Sequence, residues 1–286
     1  MRADQRARRD DFLNKLGAHP VVMGILNMTP DSFSDGGRFL VADAAVAHAK
    51  AMAAQGCAII DIGGESTRPG ATPVPEADEL ERIGSVVERL ANELAVPVSV
   101  DTYKAGVAAR AVELGAILIN DVWGLQKDPG MADTVAAAEA AIVIMHNRSE
   151  KDEALDVVAE LRRFFDRSLA LAARAGIAER YIILDPGIGF GKTARQNIDA
   201  IARLGELKDY GRPIMIGASR KKFFGSLVPS GIERGTEGRL VGTIAVSLAA
   251  AAAGASLFRV HDVAEHVAAL ALFAALRKRG SGAPAG

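Results

Sequence analysis

Val21-Val22-Met23-Gly24-Ile25-Leu26-Asn27 is an unbroken apolar run ending in a polar residue. The turn after it, Met28-Thr29-Pro30-Asp31-Ser32-Phe33-Ser34-Asp35-Gly36-Gly37, carries no GxGxxG fingerprint. A run that does not alternate in polarity is what a strand buried on both faces looks like. A glycine fingerprint at this turn would favour a doubly wound open sheet. Its absence favours a closed barrel.

Working outward, seven more such runs follow, at 58–63, 96–101, 116–121, 141–146, 181–185, 213–218 and 256–261. Helical stretches rich in Ala, Leu, Glu and Arg separate them, the clearest at 43–55, 75–94, 152–175, 237–253 and 263–279. The first puts Ala44, Ala47, Ala51 and Ala54 on one stripe. The second has Leu80, Ile83, Val87 and Leu90 at helical spacing, and the third Leu155, Val158, Leu161, Phe165, Leu169 and Ala172. Gly56, Gly115, Gly176 and Gly254 stand where helices should stop before the next strand. Eight strand–helix units predict an α/β fold, a single-domain (β/α)8 TIM barrel over 19–279. It is preceded by an N-terminal extension, 1–18, and followed by a small polar tail, 280–286, read as disordered.

Composition narrows the function. The chain has 286 residues, 34 Lys+Arg against 35 Asp+Glu, and one Cys. Near-neutral balance gives no electrostatic footprint for nucleic acid. Cys57 alone makes neither an internal disulfide nor a multi-cysteine zinc site. No apolar run approaches the roughly 20 residues that cross a bilayer, and no apolar segment follows the charged N-terminus as in a secretory leader. A cytoplasmic protein, not bound to membrane, is expected. Residues 187–193 resemble a phosphate-binding loop, but Pro186 stands where that pattern needs glycine.

Polar residues collect where the apolar runs end: Asn27, Asp61, Asp101, Asn120 with Asp121, His146, Asp185, Ser219 with Arg220 and Lys221, and Arg259 with His261. In a barrel these ends converge on one face, where active sites are built. A single Asp after a strand is usually a helix cap, but caps do not explain polar groups after every strand. Asp101, Asn120 and Asp185 suit a planar heterocycle rich in N–H donors, with Lys221 donating to a ring carbonyl or nitrogen. The plainer alternative is a buried ion pair between Asp101 or Asp185 and a basic neighbour. Ser66, Thr67, Arg68, Arg259 and His261 form a second group suited to an anion, with His261 just ahead of the last helix.

Residues 23–37 resemble the first signature of the dihydropteroate synthases, and 61–70, Asp-Ile-Gly-Gly-Glu-Ser-Thr-Arg-Pro-Gly, resemble the second. Ser99-Val100-Asp101-Thr102, Ile119-Asn120-Asp121-Val122, residues 185–192, Ser219-Arg220-Lys221 and residues 259–263 continue the likeness in order. The resemblance implies a transferase of folate biosynthesis. It would condense 6-hydroxymethyl-7,8-dihydropterin pyrophosphate with p-aminobenzoate to give 7,8-dihydropteroate and pyrophosphate, with Mg2+ as cofactor and as a homodimer. By the same resemblance, Asp101, Asn120, Met145, Asp185 and Lys221 hold the pterin. Asn27, Thr67, Arg68, Arg259 and His261 hold the pyrophosphate, with Asn27 also on the metal. Phe33, Thr67, Pro69, Phe190 and Lys221 surround p-aminobenzoate, and Asp35, Lys221 and Arg68 act in catalysis. Residues 145–149, Met-His-Asn-Arg-Ser, depart from the Met-His-Met common in the family.

The chemistry replaces pyrophosphate at an exocyclic CH2 with an aniline nitrogen. Charge neutralisation of the leaving group is the main demand. The amine is neutral already, so no strong general base is required. A pterin-binding methyltransferase would share Asp101, Asn120 and Asp185 but not the two long loop signatures. A non-catalytic paralogue would lack some of Asn27, Arg68, Lys221 and Arg259, and this chain has all four.

Overall fold

Each apolar run folds as a strand: β1 (Val21–Asn27), β2 (Ile59–Gly63), β3 (Val98–Asp101), β4 (Leu118–Asp121), β5 (Ala141–Met145), β6 (Ile182–Asp185), β7 (Met215–Ile216) and β8 (Leu257–Val260). The computed structural model describes residues 1–28, 38–66, 72–221 and 236–280. Phe33, Asp35, Thr67, Arg68, Pro69 and the tail beyond residue 280 lie outside them. The strands are parallel in the order β6-β5-β4-β3-β2-β1-β8-β7. A parallel bridge between Leu184 and Ile214 joins the two ends, with the Leu184 N–H donating to the Pro213 carbonyl at 3.0 Å. Because the sheet closes on itself, residues of β2 through β6 are buried on both faces. That explains the missing polar alternation.

β7 is the shortest strand, two residues instead of the six expected. Pro213 has no N–H to give a ladder, so pairing there reduces to the single bridge at Ile214.

The helices between strands are α2 (Arg38–Ala54), α3 (Glu76–Glu93), α4 (Ala105–Leu114), α5 (Met131–Ala138), α6 (Val157–Ala175), α7 (Ala194–Ala202), α8 (Thr236–Ala253) and α9 (Val263–Gly280), after an N-terminal α1 (Ala3–Ala18). Gly56, Gly115, Gly176 and Gly254 all have positive φ, as helix stops require. At Gly115 a Cβ would also lie 2.3 Å from that of Ala91.

Two helix expectations need correcting. α2 buries Ala45, Val46, Ala49 and Met52, not the stripe through Ala44. Val46 and Met52 offer far more apolar area than any alanine, and they decide which way the helix turns. α6 begins at Val157 rather than 152, because the Asp156 carboxylate caps it by accepting from the Ala159 N–H at 2.8 Å. Its buried face carries Ser168 in place of Leu169. The Ser168 hydroxyl donates to the Gly124 carbonyl at 2.6 Å.

The N-terminal extension is helical from Ala3 onward and packs on the barrel. Phe12 and Leu16 join the core. Gln5 donates to the Val112 carbonyl at 2.8 Å. Arg9, 2 % exposed, donates to the Glu139 carbonyl and stacks 3.8 Å from the Tyr181 ring centroid. Its charged composition hid this helix, since only a narrow stripe of it is buried.

Arg9→Ala should therefore leave a buried carbonyl without its donor and remove the stacked cation. Stability should fall by about 1–3 kcal/mol. Urea denaturation should show a lower midpoint with an unchanged slope. An unchanged midpoint would mean that the Arg9 contacts add nothing to the barrel.

Candidate active site

Strand register sets the mouth of the barrel. Asn27 pairs laterally with Gly63, Gly63 with Asp101, and Asp101 with Asn120. One row thus carries Asn27, Asp101 and Asn120 side by side at the C-terminal ends of β1, β3 and β4. Asp61 and Ser99 sit two residues deeper on the same faces and pair with each other. On the far side Met145 pairs with Asp185. At Gly63 an added Cβ would stand 3.6 Å from that of Asp101.

The centre of this mouth is a buried network. Arg259 reaches from β8, donating from Nε to Asp61 Oδ2 at 2.6 Å and from Nη2 to Asp101 Oδ2 at 2.8 Å. Asp61 also accepts from the Ser99 hydroxyl at 2.6 Å and from Asn120 Nδ2 at 3.1 Å. The second bond fixes the orientation of the Asn120 amide, because only its nitrogen can donate to a carboxylate. Two acceptors are left over: Asp101 Oδ1 and Asn120 Oδ1 are buried with no hydrogen-bond partner among the described residues. Buried acceptors of this kind are costly unless something donates to them.

Burial pushes the Asp101 carboxyl up; Arg259 opposes the rise and Asp61 adds to it. Burial also works against the Arg259 charge, but Asp61 and Asp101 outweigh it and hold the guanidinium above its ordinary value. Asp185 is pushed up to about 6, again chiefly by burial, while the Gly187 N–H and Lys221 pull it down. That N–H donates to Asp185 Oδ1 at 2.7 Å. Lys221 donates to the Ile188 carbonyl at 2.7 Å and stands 4.0 Å from the Phe190 ring centroid. The Asp185–Phe190 loop thereby faces Lys221.

The plainer reading holds at two positions. Asp121 is the acceptor of a turn, taking the Trp123 and Leu125 N–H groups at 2.8 and 2.6 Å. Asp101 is ion-paired to a basic neighbour, and that neighbour is Arg259. Arg259 therefore stands with the acids of the mouth, not simply beside His261 on an anion site. His261 is held by Ser219: Nδ1 lies 2.9 Å from the hydroxyl, which also accepts the His261 N–H at 3.1 Å. Arg220, with φ at 56°, is tied to Asp262 through Nε and Nη2 at 3.1 and 2.5 Å.

Some partners were not evident from sequence. Asp61 opens the second signature but was given no role there, yet it joins three side chains, Ser99, Asn120 and Arg259. Glu65, the Tyr103 hydroxyl and Lys104 form a cluster behind the second signature. Glu65 accepts from Tyr103 at 2.9 Å and from the Val74 N–H at 3.1 Å, and Lys104 joins it to buried Glu79. The signal available in the sequence was a charge in an otherwise apolar or glycine-rich context, as with Asp61 between Ile60 and Ile62. His146 does not open on the mouth: it is 1 % exposed, 4.9 Å from the Phe164 ring, with Lys192 on its Nδ1. Among the described residues, no group of three or more His, Cys, Asp or Glu is placed to hold a metal ion.

Residues 23–261 match the family model described as pterin binding enzyme. The chain is 46% identical over 243 residues to the dihydropteroate synthase of Bacillus subtilis, covering 85% of this chain and 84% of that one. It is similar to the solved dihydropteroate synthase of Clostridium difficile in the presence of pteroic acid: TM-score 0.87, 45% identity, 91% of this chain and 97% of that one. The Xanthomonas albilineans dihydropteroate synthase with 4-aminobenzoic acid superposes with a TM-score of 0.85 at 46% identity, over 91% and 93% of the two chains.

The Asp185 shift has a consequence for the free protein. Below pH of about 4 the group is protonated whether folded or unfolded. As pH rises from the ordinary 3.8 to about 6, the unfolded chain gives up this proton while the folded protein keeps it, so stability present at low pH is lost. Asp185→Asn cannot titrate. Its melting temperature relative to wild type should rise between pH 5 and 7, by about 2–4 °C for roughly 1 kcal/mol. A difference independent of pH would show that the Asp185 carboxyl is not raised.

Proposed function

The chain belongs to the pterin-binding enzyme family and, within it, to the dihydropteroate synthases, transferases of folate biosynthesis; on that premise we propose how its residues divide the work of joining a pterin to p-aminobenzoate. One observation carries the assignment. Asp101 Oδ1 and Asn120 Oδ1 are adjacent buried acceptors with no internal donor among the described residues. The amino-pyrimidinone edge of a pterin brings N–H donors on neighbouring atoms, the pattern that such a pair satisfies. Asp185 adds a third acceptor from across the mouth, and Met145, its lateral neighbour, an apolar wall. Arg259 neutralises Asp61 and Asp101 and forms the floor of the pocket.

Lys221 stands between the two substrates. Its ammonium donates toward the pterin, while its stem and the half-buried Phe190 flank p-aminobenzoate. The leaving group is 6-hydroxymethyl-7,8-dihydropterin pyrophosphate's own diphosphate. His261, oriented by Ser219 at the start of α9, is one donor to it. Thr67 and Arg68 are others, with Phe33, Thr67 and Pro69 completing the p-aminobenzoate side. Asp35 stabilises positive charge at the pterin methylene.

Asn27 is the residue that would hold Mg2+. Mg2+ keeps most of its water and takes the rest of its ligands from substrate phosphates, so one amide oxygen without a carboxylate cluster fits. When bound, Mg2+ supplies charge neutralisation to the departing pyrophosphate. The C–O bond to pyrophosphate breaks, the C–N bond to the aniline forms, and the amine's extra proton passes to solvent or pyrophosphate. None of these steps needs a strong base.

The partner in assembly is a second copy. Val241 on α8 and Leu272 and Leu276 on α9 are 67%, 62% and 63% exposed. The last two lie four residues apart on one helix face, and α8 packs beside α9. Such apolar exposure suits a homodimer interface. Among the described residues no helix is long and apolar enough to cross a membrane, and we place the enzyme in the cytoplasm.

Mixing the pterin pyrophosphate, p-aminobenzoate and Mg2+ with the protein should yield 7,8-dihydropteroate and pyrophosphate in equal amounts. Absence of product would sink the reading. Asp101→Asn replaces an acceptor by a group that also donates, so pterin affinity by calorimetry should drop by about tenfold or more. Unchanged affinity would remove Asp101 from the pocket. In sedimentation, Leu276→Glu should convert a dimer to a monomer. A wild-type monomer, or a dimer in the variant, would locate the interface elsewhere or nowhere.

A further inference from the structure

The loop after β6 reads Gly187-Ile188-Gly189-Phe190-Gly191-Lys192, and its glycines have φ of 65°, 86° and 55°. None tolerates a side chain. An added Cβ would come within 1.9 Å of the His146 carbonyl oxygen at Gly187, 2.7 Å of Lys221 Cδ at Gly189, and 2.5 Å of Arg148 Cβ at Gly191. The alternate left-handed residues coil the backbone tightly between the ends of β5 and β7.

Its carbonyls converge on one cation. Lys192 Nζ lies 3.0 Å from the Gly187 oxygen, 3.2 Å from the Phe190 oxygen and 2.7 Å from His146 Nδ1. An ammonium has three N–H donors, and here all three are used. The side chain is 4 % exposed. Burial pushes the lysine down to about 7, while Asp185 pulls it back up. Burial drives the imidazole of His146 far down, to about 2, so it remains neutral and its Nδ1 can accept. Thr193 then starts α7 with a capping box through Gln196, and Asn197 accepts the Gly189 N–H at 2.6 Å.

The opposite side of the same loop meets the mouth. Lys221 donates to the Ile188 carbonyl, and its ammonium lies over the Phe190 ring. The loop is therefore held between two lysines, one buried behind it and one at the active site. We infer that Lys192 is a positioning residue: its ammonium, anchored on His146, fixes the backbone at Gly187 and Phe190 and so sets where the Phe190 ring stands against Lys221 on the p-aminobenzoate side of the site. The argument for substrate rests on the functional reading above; the argument for the loop does not.

An apolar isostere would fill the same volume but take the ammonium donor from the Phe190 carbonyl and the His146 Nδ1, and leave the Gly187 carbonyl with the Phe190 N–H alone. That contrast separates positioning by the charge from mere packing. Lys192→Met should raise KM for p-aminobenzoate by about tenfold while pterin affinity stays within about threefold of wild type. Amide exchange at Ile188–Gly191 should quicken by about tenfold or more, with the strands unaffected. His146→Leu should reproduce both effects. His146→Asn, which keeps an acceptor near the Nδ1 position, should largely restore them, and this pair decides the matter if Lys192→Met does not fold. A p-aminobenzoate KM within threefold of wild type in Lys192→Met, or an Asn variant no better than the Leu one, would overturn the inference. So would a loss that lowers pterin affinity and quickens exchange throughout the barrel alike. If the wild type makes no product, the functional reading fails, and the exchange measurement still decides the role of Lys192 in the loop.

Discussion

Two carboxylates buried in one barrel mouth would repel each other and resist ionisation. The Arg259 guanidinium makes their coexistence possible. It bridges Asp61 on β2 and Asp101 on β3 from β8, 198 and 158 residues away in the chain. The pairing of β8 with β1, β1 with β2 and β2 with β3 brings these groups within reach. The dependence also runs the other way. A buried ion network with a missing member leaves an uncompensated charge, so the barrel cannot lose Arg259 or either acid cheaply. With Arg259 on Oδ2 of Asp101, the other oxygen is left for a ligand. Asp61, saturated by Ser99, Asn120 and Arg259, acts by orienting the groups that remain free.

Much of this architecture was legible in the chain. Continuous apolar runs located all eight strands, because a sheet buried on both faces needs no polar alternation. Glycines after helical stretches marked their ends, since only glycine takes positive φ without strain. The row of polar residues at strand ends located the mouth. What stayed hidden was pairwise. Sequence placed Arg259 with His261 because they are two residues apart, but Arg259 lies within β8, where it reaches Asp61 and Asp101, while His261 stands just past the strand end and is held by Ser219. Likewise His146 looked like one more polar group at a strand end. Its partner Lys192 lies 46 residues on, in a run read as a failed phosphate loop and as one block of the family likeness, with no role given to the lysine. The stripe of α2 was missed because equal alanines give the pattern no direction, and α1 because its many charges masked Phe12 and Leu16.

The two lysines that flank the β6 loop, Lys192 at its end and Lys221 after β7, show how one motif serves fold and chemistry together. Glycines at 187, 189 and 191 permit the coil, Lys192 gathers its carbonyls from behind, and Lys221 meets its front. A site built this way is positioned by the barrel at two heights: the strand-end row carries the Asp101 and Asn120 acceptors, and the loop carries Phe190 against Lys221. Preorganised donors and acceptors cost nothing further at the moment of reaction.

The unpaired acceptors of the pocket are the proposed recognition element for the pterin. A crystal structure of the protein with a pterin tests it most directly. Ring or exocyclic nitrogens should lie about 3 Å from both Asp101 Oδ1 and Asn120 Oδ1, with Arg259 still on Asp61. A pterin bound elsewhere, or bound in the mouth with both oxygens still unpaired, would contradict it.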